Sequence, residues 1–254
     1  MKKCFLFIPA GAILFSLLTG CSSANNHPES SAENPVSSEP ESKPENTAGA
    51  IKFDFENGDE AFVPIFADYP CSEGAEEFYE LKHSLEENPV KGNGKSLFIS
   101  GNNHSDDLFM GYYKRLDGFD AGEKYVFSVK FEIATDVSGN MMGVGGAPGE
   151  SVFVKCGLTS AEPKKVIKDD ANYRLNIDAG VQGNGGKDMI VVGNIAKQDE
   201  QNFNGYDINR YELDFSAITD KNGSVYLVIG TDSGFEATTH YFIDNIELSW
   251  KKSE

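Results

Sequence analysis

The chain has 254 residues, with 40 Asp and Glu against 22 Lys and Arg, for a formal charge of −18. At 39% hydrophobic and 11% aromatic residues it carries enough apolar material for a sizeable core, which excludes wholesale disorder. Its acidity argues against nucleic acid, or an anionic membrane surface, as the main partner, because both need a basic face.

The first segment reads as an address. Lys2 and Lys3 precede a nearly unbroken apolar run, residues 4–18, too short to cross a ~30 Å hydrocarbon core comfortably. The run ends in Leu18-Thr19-Gly20-Cys21, followed by Ser22 and Ser23. This pattern resembles the bacterial lipoprotein signal, with Leu18, Thr19 and Gly20 in the lipobox and Cys21 as the acylated first residue of the mature chain. The resemblance implies a signal peptide over residues 1–20, lipidation of Cys21 and an extracytoplasmic, lipid-anchored protein that does not span the membrane. Each buried CH₂ of an acyl chain adds roughly 0.8 kcal/mol to anchoring, so two or three chains hold firmly. The alternative is an ordinary secretory signal that happens to contain a cysteine.

Residues 21–48 read as the lipidated cysteine and a tether. Ser, Pro, Glu and Asn dominate, and Val36 is the only aliphatic side chain larger than alanine. Such a segment cannot bury enough surface to offset its ordering entropy, so disorder is predicted. Extended, it would reach roughly 80 Å, and as a relaxed coil roughly 30 Å.

From Gly49 onward the dominant period is two. Ile51, Phe53 and Phe55 alternate with Lys52, Asp54 and Glu56; Phe127, Val129, Phe131 and Ile133 alternate with Ser128, Lys130 and Glu132. Tyr211, Leu213 and Phe215 repeat the pattern, as do Val225, Leu227 and Ile229. Asn57-Gly58, Asp117-Gly118, Ser138-Gly139-Asn140 and Asn222-Gly223 mark turns between runs. Helical spacing is confined to residues 76–85, with a single turn at 216–220. The prediction is therefore one all-β domain over residues 49–254, a jelly-roll β-sandwich of two antiparallel sheets.

The opening Phe53-Asp54-Phe55-Glu56-Asn57-Gly58 and the closing Tyr241-Phe242-Ile243-Asp244-Asn245-Ile246-Glu247-Leu248 resemble the first and last strands of galactose-binding-like jelly rolls, among them many carbohydrate-binding modules. The match covers about twenty residues at the two ends of the domain. A strict two-residue period would put Asp244 in one apolar row with Phe242, Ile246, Leu248 and Trp250, where an unpaired carboxylate costs several kcal/mol. A cation, a basic side chain or backbone N–H donors could relieve it, as could a strand-end position facing a loop or solvent. The resemblance implies a structural Ca²⁺ held by Glu56 and Asp244, with backbone carbonyls completing the oxygen shell.

Other constellations carry weaker signals. Asn102-Asn103-His104-Ser105-Asp106-Asp107 is a dense polar loop that could hold a cation or sugar hydroxyls. Three adjacent residues cannot form a catalytic triad, and a self-bonded turn is the commoner explanation. The glycine-rich segments 143–149 and 183–186 and the Gly92-Asn93-Gly94-Lys95-Ser96 run lack the glycines of nucleotide-binding loops, so no nucleotide is expected. His27, His83, His104 and His240 are isolated, without zinc-ligand spacing. Cys71 and Cys156 could form one disulfide outside the cytoplasm. Exposed aromatics for sugar stacking would come from Tyr112, Tyr113, Tyr173 and Tyr206, with one of the adjacent Tyr112 and Tyr113 pointing away from the core.

The reading favoured by these features is a surface-anchored, non-catalytic jelly roll that binds a carbohydrate or other extracellular ligand. Its candidate ligand residues are Tyr112, Tyr113, His104, Asp106, Asp107, Tyr173 and Tyr206. The membrane is a partner only through the lipid. The rivals are an envelope-glycan hydrolase or lyase using carboxylates such as Asp106, Asp107 and Glu150, and a docking component of an envelope assembly.

Overall fold

A computed structural model describes residues 47–90, 92–168, 171–198 and 205–254. The signal segment, Cys21 and the tether as far as residue 46 lie outside the described residues. In chain order the elements are β1 (Ala48–Phe53), β2 (Val63–Ala67), β3 (Tyr69–Pro70), one helical turn α1 (Ala75–Phe78), β4 (Lys82–Glu87), β5 (Lys95–Asn102) and β6 (Leu108–Asp117). There follow β7 (Lys124–Thr135), β8 (Val152–Thr159), β9 (Lys165–Lys168), β10 (Asn172–Leu175), β11 (Ile190–Asn194), β12 (Asp207–Ile218), β13 (Ser224–Ser233) and β14 (Thr238–Lys252). The helical spacing read over residues 76–85 gives only the four residues of α1, after which β4 begins. The turn expected at 216–220 starts later, because β12 runs through Ile218.

Two antiparallel sheets make the expected sandwich. The first runs β12-β7-β14-β5-β4, and β1 also pairs with β14; the second runs β11-β8-β13-β6-β2. Period-two alternation sends Phe127, Val129, Phe131, Ile133, Tyr211 and Leu213 of the first sheet inward against Leu108, Met110, Tyr112, Val154, Cys156 and Leu227 of the second. At the Asn222-Gly223 turn, Gly223 has φ 74°, and a Cβ there would collide with the carbonyl oxygen of Phe119.

Two features were not anticipated. The segment between β8 and β11 supplies β9 and β10, which join β3 in a third small sheet, β3-β10-β9, and it covers the outer face of the second sheet. Leu175, Ile177, Ala179 and Met189 from that segment pack there on Ile65, Ala67, Phe109 and Val228. The approach is close: at Gly157 of β8 a side chain would strike the Asp188 carbonyl oxygen.

The second feature is a β-bulge in β14. Asp244 pairs with Glu132 and Glu247 with Lys130, so two residues on β14, Asn245 and Ile246, stand opposite the single Phe131 on β7, and Asn245 takes φ 47°. The extra residue reverses the facing. Tyr241 and Ile243 point into the core before it, Ile246 and Leu248 after it. Asp244 therefore does not share a face with Ile246, Leu248 and Trp250, as a strict period predicts.

Candidate functional site

Among the described residues, three of the polar clusters on or near the sheets bring candidate site residues together. The first is a groove of about 530 Å³ beside edge strand β2. Tyr113 points outward from β6 because its neighbour Tyr112 points in, and with Phe66, Leu81 and His83 it gives the groove an apolar floor. Lys165 and Glu76 close one side as an ion pair. Lys165 also donates to the Tyr69 hydroxyl at 2.8 Å and sits 4.4 Å from the centre of the Tyr173 ring. The hydrogen bond from Lys165 holds the Glu76 carboxyl below the ordinary range, against its partial burial.

The second is a hollow of about 520 Å³ on the other side of the small third sheet. In β10, Tyr173 faces the Tyr69 and Lys165 side, and the next residue, Arg174, faces the opposite way. Arg174 Nη1 donates to Asp68 Oδ1 at 2.7 Å and to Asp107 Oδ2 at 2.6 Å. Burial, with the negative charge of Asp68, outweighs Arg174 and pushes the Asp107 carboxyl up to about 6. Asp68 is raised too, first by burial. Deeper on the same face Lys155 and Asp232 form an ion pair at 2.7 Å, with side chains 0% and 2% exposed. Lys155 also donates to the Ala179 carbonyl, and Asp232 Oδ2 accepts from Gln182 N. The pair thus fastens the covering segment to the sheet.

The third is the junction in β14 where its pairing with β5 ends and its pairing with β1 begins. Asp244 is buried there, accepting from Asn245 N at 2.6 Å and from Asn88 Nδ2 at 2.9 Å. Burial and the charges of Glu132 and Glu56 push its carboxyl up to about 6, despite those two hydrogen bonds. The last register pair before the junction is Ile243 with Leu97, which sets Ser96 next to Asp244 along the ladder. Ser96 is fully buried, and its hydroxyl has no hydrogen-bond partner among the described residues. Glu56 Oε1 accepts from Lys95 N at 3.1 Å. Among the described residues no three His, Cys, Asp or Glu side chains converge as a metal cage. A cation here would draw on Asp244, Glu56 and backbone or hydroxyl oxygens, and the orphaned hydroxyl beside a charge-deficient carboxylate fits that donor set.

The residues expected to bind ligand are dispersed. Tyr112 is a core residue whose hydroxyl donates to the Phe98 carbonyl at 2.6 Å, so it has no ligand role. Tyr113 and Tyr173 reach the first groove and its flank, and Asp107 the second hollow. His104 stacks on Phe78 with ring centres 4.2 Å apart, and Asp106 takes φ 57° and bonds Gln182 through its carbonyl. Together with Asn103, which accepts from Ser105 N, they form a self-bonded turn. Tyr206 lies on the outer side of the first sheet, 2.9 Å from His240 Nε2, away from the other tyrosines. Cys71 and Cys156 are both buried and are not bonded to each other, Cys156 lying within the inter-sheet core, so the expected disulfide is not formed. Sequence reading missed Phe66, Glu76 and Lys165 at the groove and Asp68 and Arg174 at the hollow. It also missed Asn88 beside Asp244.

No family model and no curated protein matches the chain. Among solved structures, a carbohydrate-binding module of family 27 from Caldicellulosiruptor saccharolyticus, in complex with mannohexaose, is 14% identical, with a TM-score of 0.38, over 78% of this chain and 96% of its own. A family 61 module in complex with galactotriose is 14% identical, with a TM-score of 0.35, over 77% of this chain and 92% of its own. A cyclase from a Fischerella species is 10% identical, with a TM-score of 0.38, over 81% of this chain and all of its own. These are distant likenesses, and they extend to a protein of unrelated activity.

Proposed function

We propose that the protein is a lipid-anchored envelope protein whose β-sandwich binds carbohydrate without cleaving it. One observation carries the reading: the groove beside β2 sets the half-buried faces of Tyr113 and Phe66 next to the Glu76–Lys165 pair. Sugar rings present C–H faces that stack on aromatics and hydroxyls that need charged or amide partners, and the groove supplies both. The best-placed carboxylates elsewhere, Asp68 and Asp107, are tied to one guanidinium nitrogen, an arrangement suited to holding rather than to proton transfer. A glycan array identifies the ligand, and Tyr113→Ala lowers its affinity about tenfold, the loss of roughly 1.4 kcal/mol of stacking. An array on which the folded protein binds no saccharide overturns the proposal.

The same proposal includes a structural Ca²⁺ held by Asp244 and Glu56, supported by the buried, cation-poor setting of Asp244. It would brace the first and last strands at the junction without touching the groove. Anchoring rests on Leu18-Thr19-Gly20-Cys21. Metabolic labelling with radioactive palmitate should mark the wild-type chain and leave Cys21→Ala unlabelled; label retained on that variant overturns the anchor.

A further inference from the structure

The hollow around Arg174 is one positive charge short. Five ionisable groups cross the outer face of the second sheet at one level. Lys155 comes from β8 and Asp232 from β13, Asp107 lies just ahead of β6 and Asp68 just past β2, and Arg174 reaches over them from β10. Three are carboxylates and two are cations. Lys155 is committed to Asp232, while a single nitrogen of Arg174 serves both remaining carboxylates. Lys168 and Asp178 also line the hollow, and Asp178 accepts from Gly180 N and Lys187 N.

The deficit has a second mark. Asp232 does not line the hollow but lies buried behind it, and its Oδ1 has no hydrogen-bond partner among the described residues. In register Asp232 lies opposite Phe109, which puts Asp107 on the adjacent diagonal of the same face. Its charge bears on both Asp107 and Asp68. The opening is about 520 Å³, within the ordinary range for a small-molecule pocket. The missing charge can be supplied by a group that also brings N–H donors to the carboxylate oxygens left open.

We propose that this hollow recognises a sugar carrying a free primary ammonium group, an amino sugar whose nitrogen is not acylated. The ammonium would lie against Asp107 and Asp68 and donate to the carboxylate oxygens that Arg174 leaves open. Acylation would remove both the charge and two donors, so the hollow discriminates against the N-acetylated form. The inference rests on the carbohydrate reading but uses a different cavity from the groove at Tyr113.

Calorimetric titration of the full chain with the glucosamine trimer and with its N-acetylated counterpart tests it. The trimer should bind at least tenfold more tightly than the acetylated form. Asp107→Asn, or Asp68→Asn where the first variant unfolds, should abolish that preference, and Tyr113→Ala should leave it intact. Equal affinity for the two trimers, or a preference that survives both Asn variants, overturns the proposal. A trilysine peptide that binds as tightly as the glucosamine trimer overturns its sugar component. If a glycan array finds ligands but neither trimer binds, this inference fails and the carbohydrate reading stands; an array with no ligands sinks both.

Discussion

Lys155→Met is the sharpest probe of how the covering segment is held. The lysine is completely buried, 2.7 Å from Asp232 and 2.9 Å from the Ala179 carbonyl oxygen. Methionine keeps most of the aliphatic stem and removes the charge. Asp232 would then keep only the Gln182 N–H on Oδ2, with Oδ1 already unpartnered. Stranding a buried carboxylate by removing its partner costs about 3–5 kcal/mol, a large share of the roughly 5–15 kcal/mol that stabilises a domain. Equilibrium denaturation should show a loss in that range. Hydrogen exchange should show the backbone amides near Ala179 and Gln182 opening first, because the pair fastens both. Adding Asp232→Asn to Lys155→Met should recover most of the loss, since replacing both charges of a buried pair is close to neutral. A single-variant cost below about 1 kcal/mol, or a double variant no more stable than the single, would refute the assignment of this pair as the fastening.

Protonation of Asp107 should be visible in stability. Its folded-state carboxyl lies near 6, above its ordinary value of 3.8, so the folded protein holds this proton more tightly. The favourable contribution is complete below about pH 4 and is lost as pH rises through 6; the difference in thermal midpoint between wild type and Asp107→Asn, measured from pH 4.5 to 7.5, should follow that curve. Calcium at 100 times its dissociation constant would add about 2.7 kcal/mol, or roughly 5–10 °C in thermal midpoint for a domain of this size. Asp244→Asn should erase that rise, and a wild-type midpoint indifferent to calcium excludes the ion. Burial pushes the Cys156 thiol far above its usual range, so a thiol reagent should label it only after unfolding.

The sandwich was legible because its strands are half-buried. Phe127, Val129, Phe131 and Ile133 meet the core while Ser128, Lys130 and Glu132 face outward, and that contrast is written directly in the residue order. The second sheet is harder to read because it is covered on both sides. In Val152-Phe153-Val154-Lys155-Cys156 the lysine looks like an outward-facing position, yet it is as buried as its apolar neighbours. Its partners come from a segment some 25 residues away and from a strand about 77 residues away, so no local pattern announces them. A trace was present nonetheless: Leu175, Ile177 and Ala179 alternate with Asn176 and Asp178, a two-residue period that marks one apolar face in a stretch with little strand. The bulge in β14 left a clue in residue type, since asparagine is among the few non-glycine residues that readily take positive φ. Reading Asn245 as the extra residue would have moved Asp244 off the core face.

The covering segment also decides what kind of ligand the second sheet can take. With Leu175, Ile177 and Ala179 seated on its outer face and the Gly157 contact leaving no clearance, no polymer can lie across the middle of that sheet. Access remains at the groove beside Tyr113 and at the hollow beside Arg174, on opposite faces of the small third sheet. A ligand chain would have to present an end or a short branch at one of them. Binding that strengthens as oligosaccharides grow from two to three units and then stays flat at six is therefore expected. Affinity that keeps rising with length would require a continuous cleft, which the packing of residues 175–189 denies to the second sheet, and would move the binding face to the outer side of the first sheet, where Lys52, Lys130, Glu132 and Arg210 line a hollow of about 530 Å³.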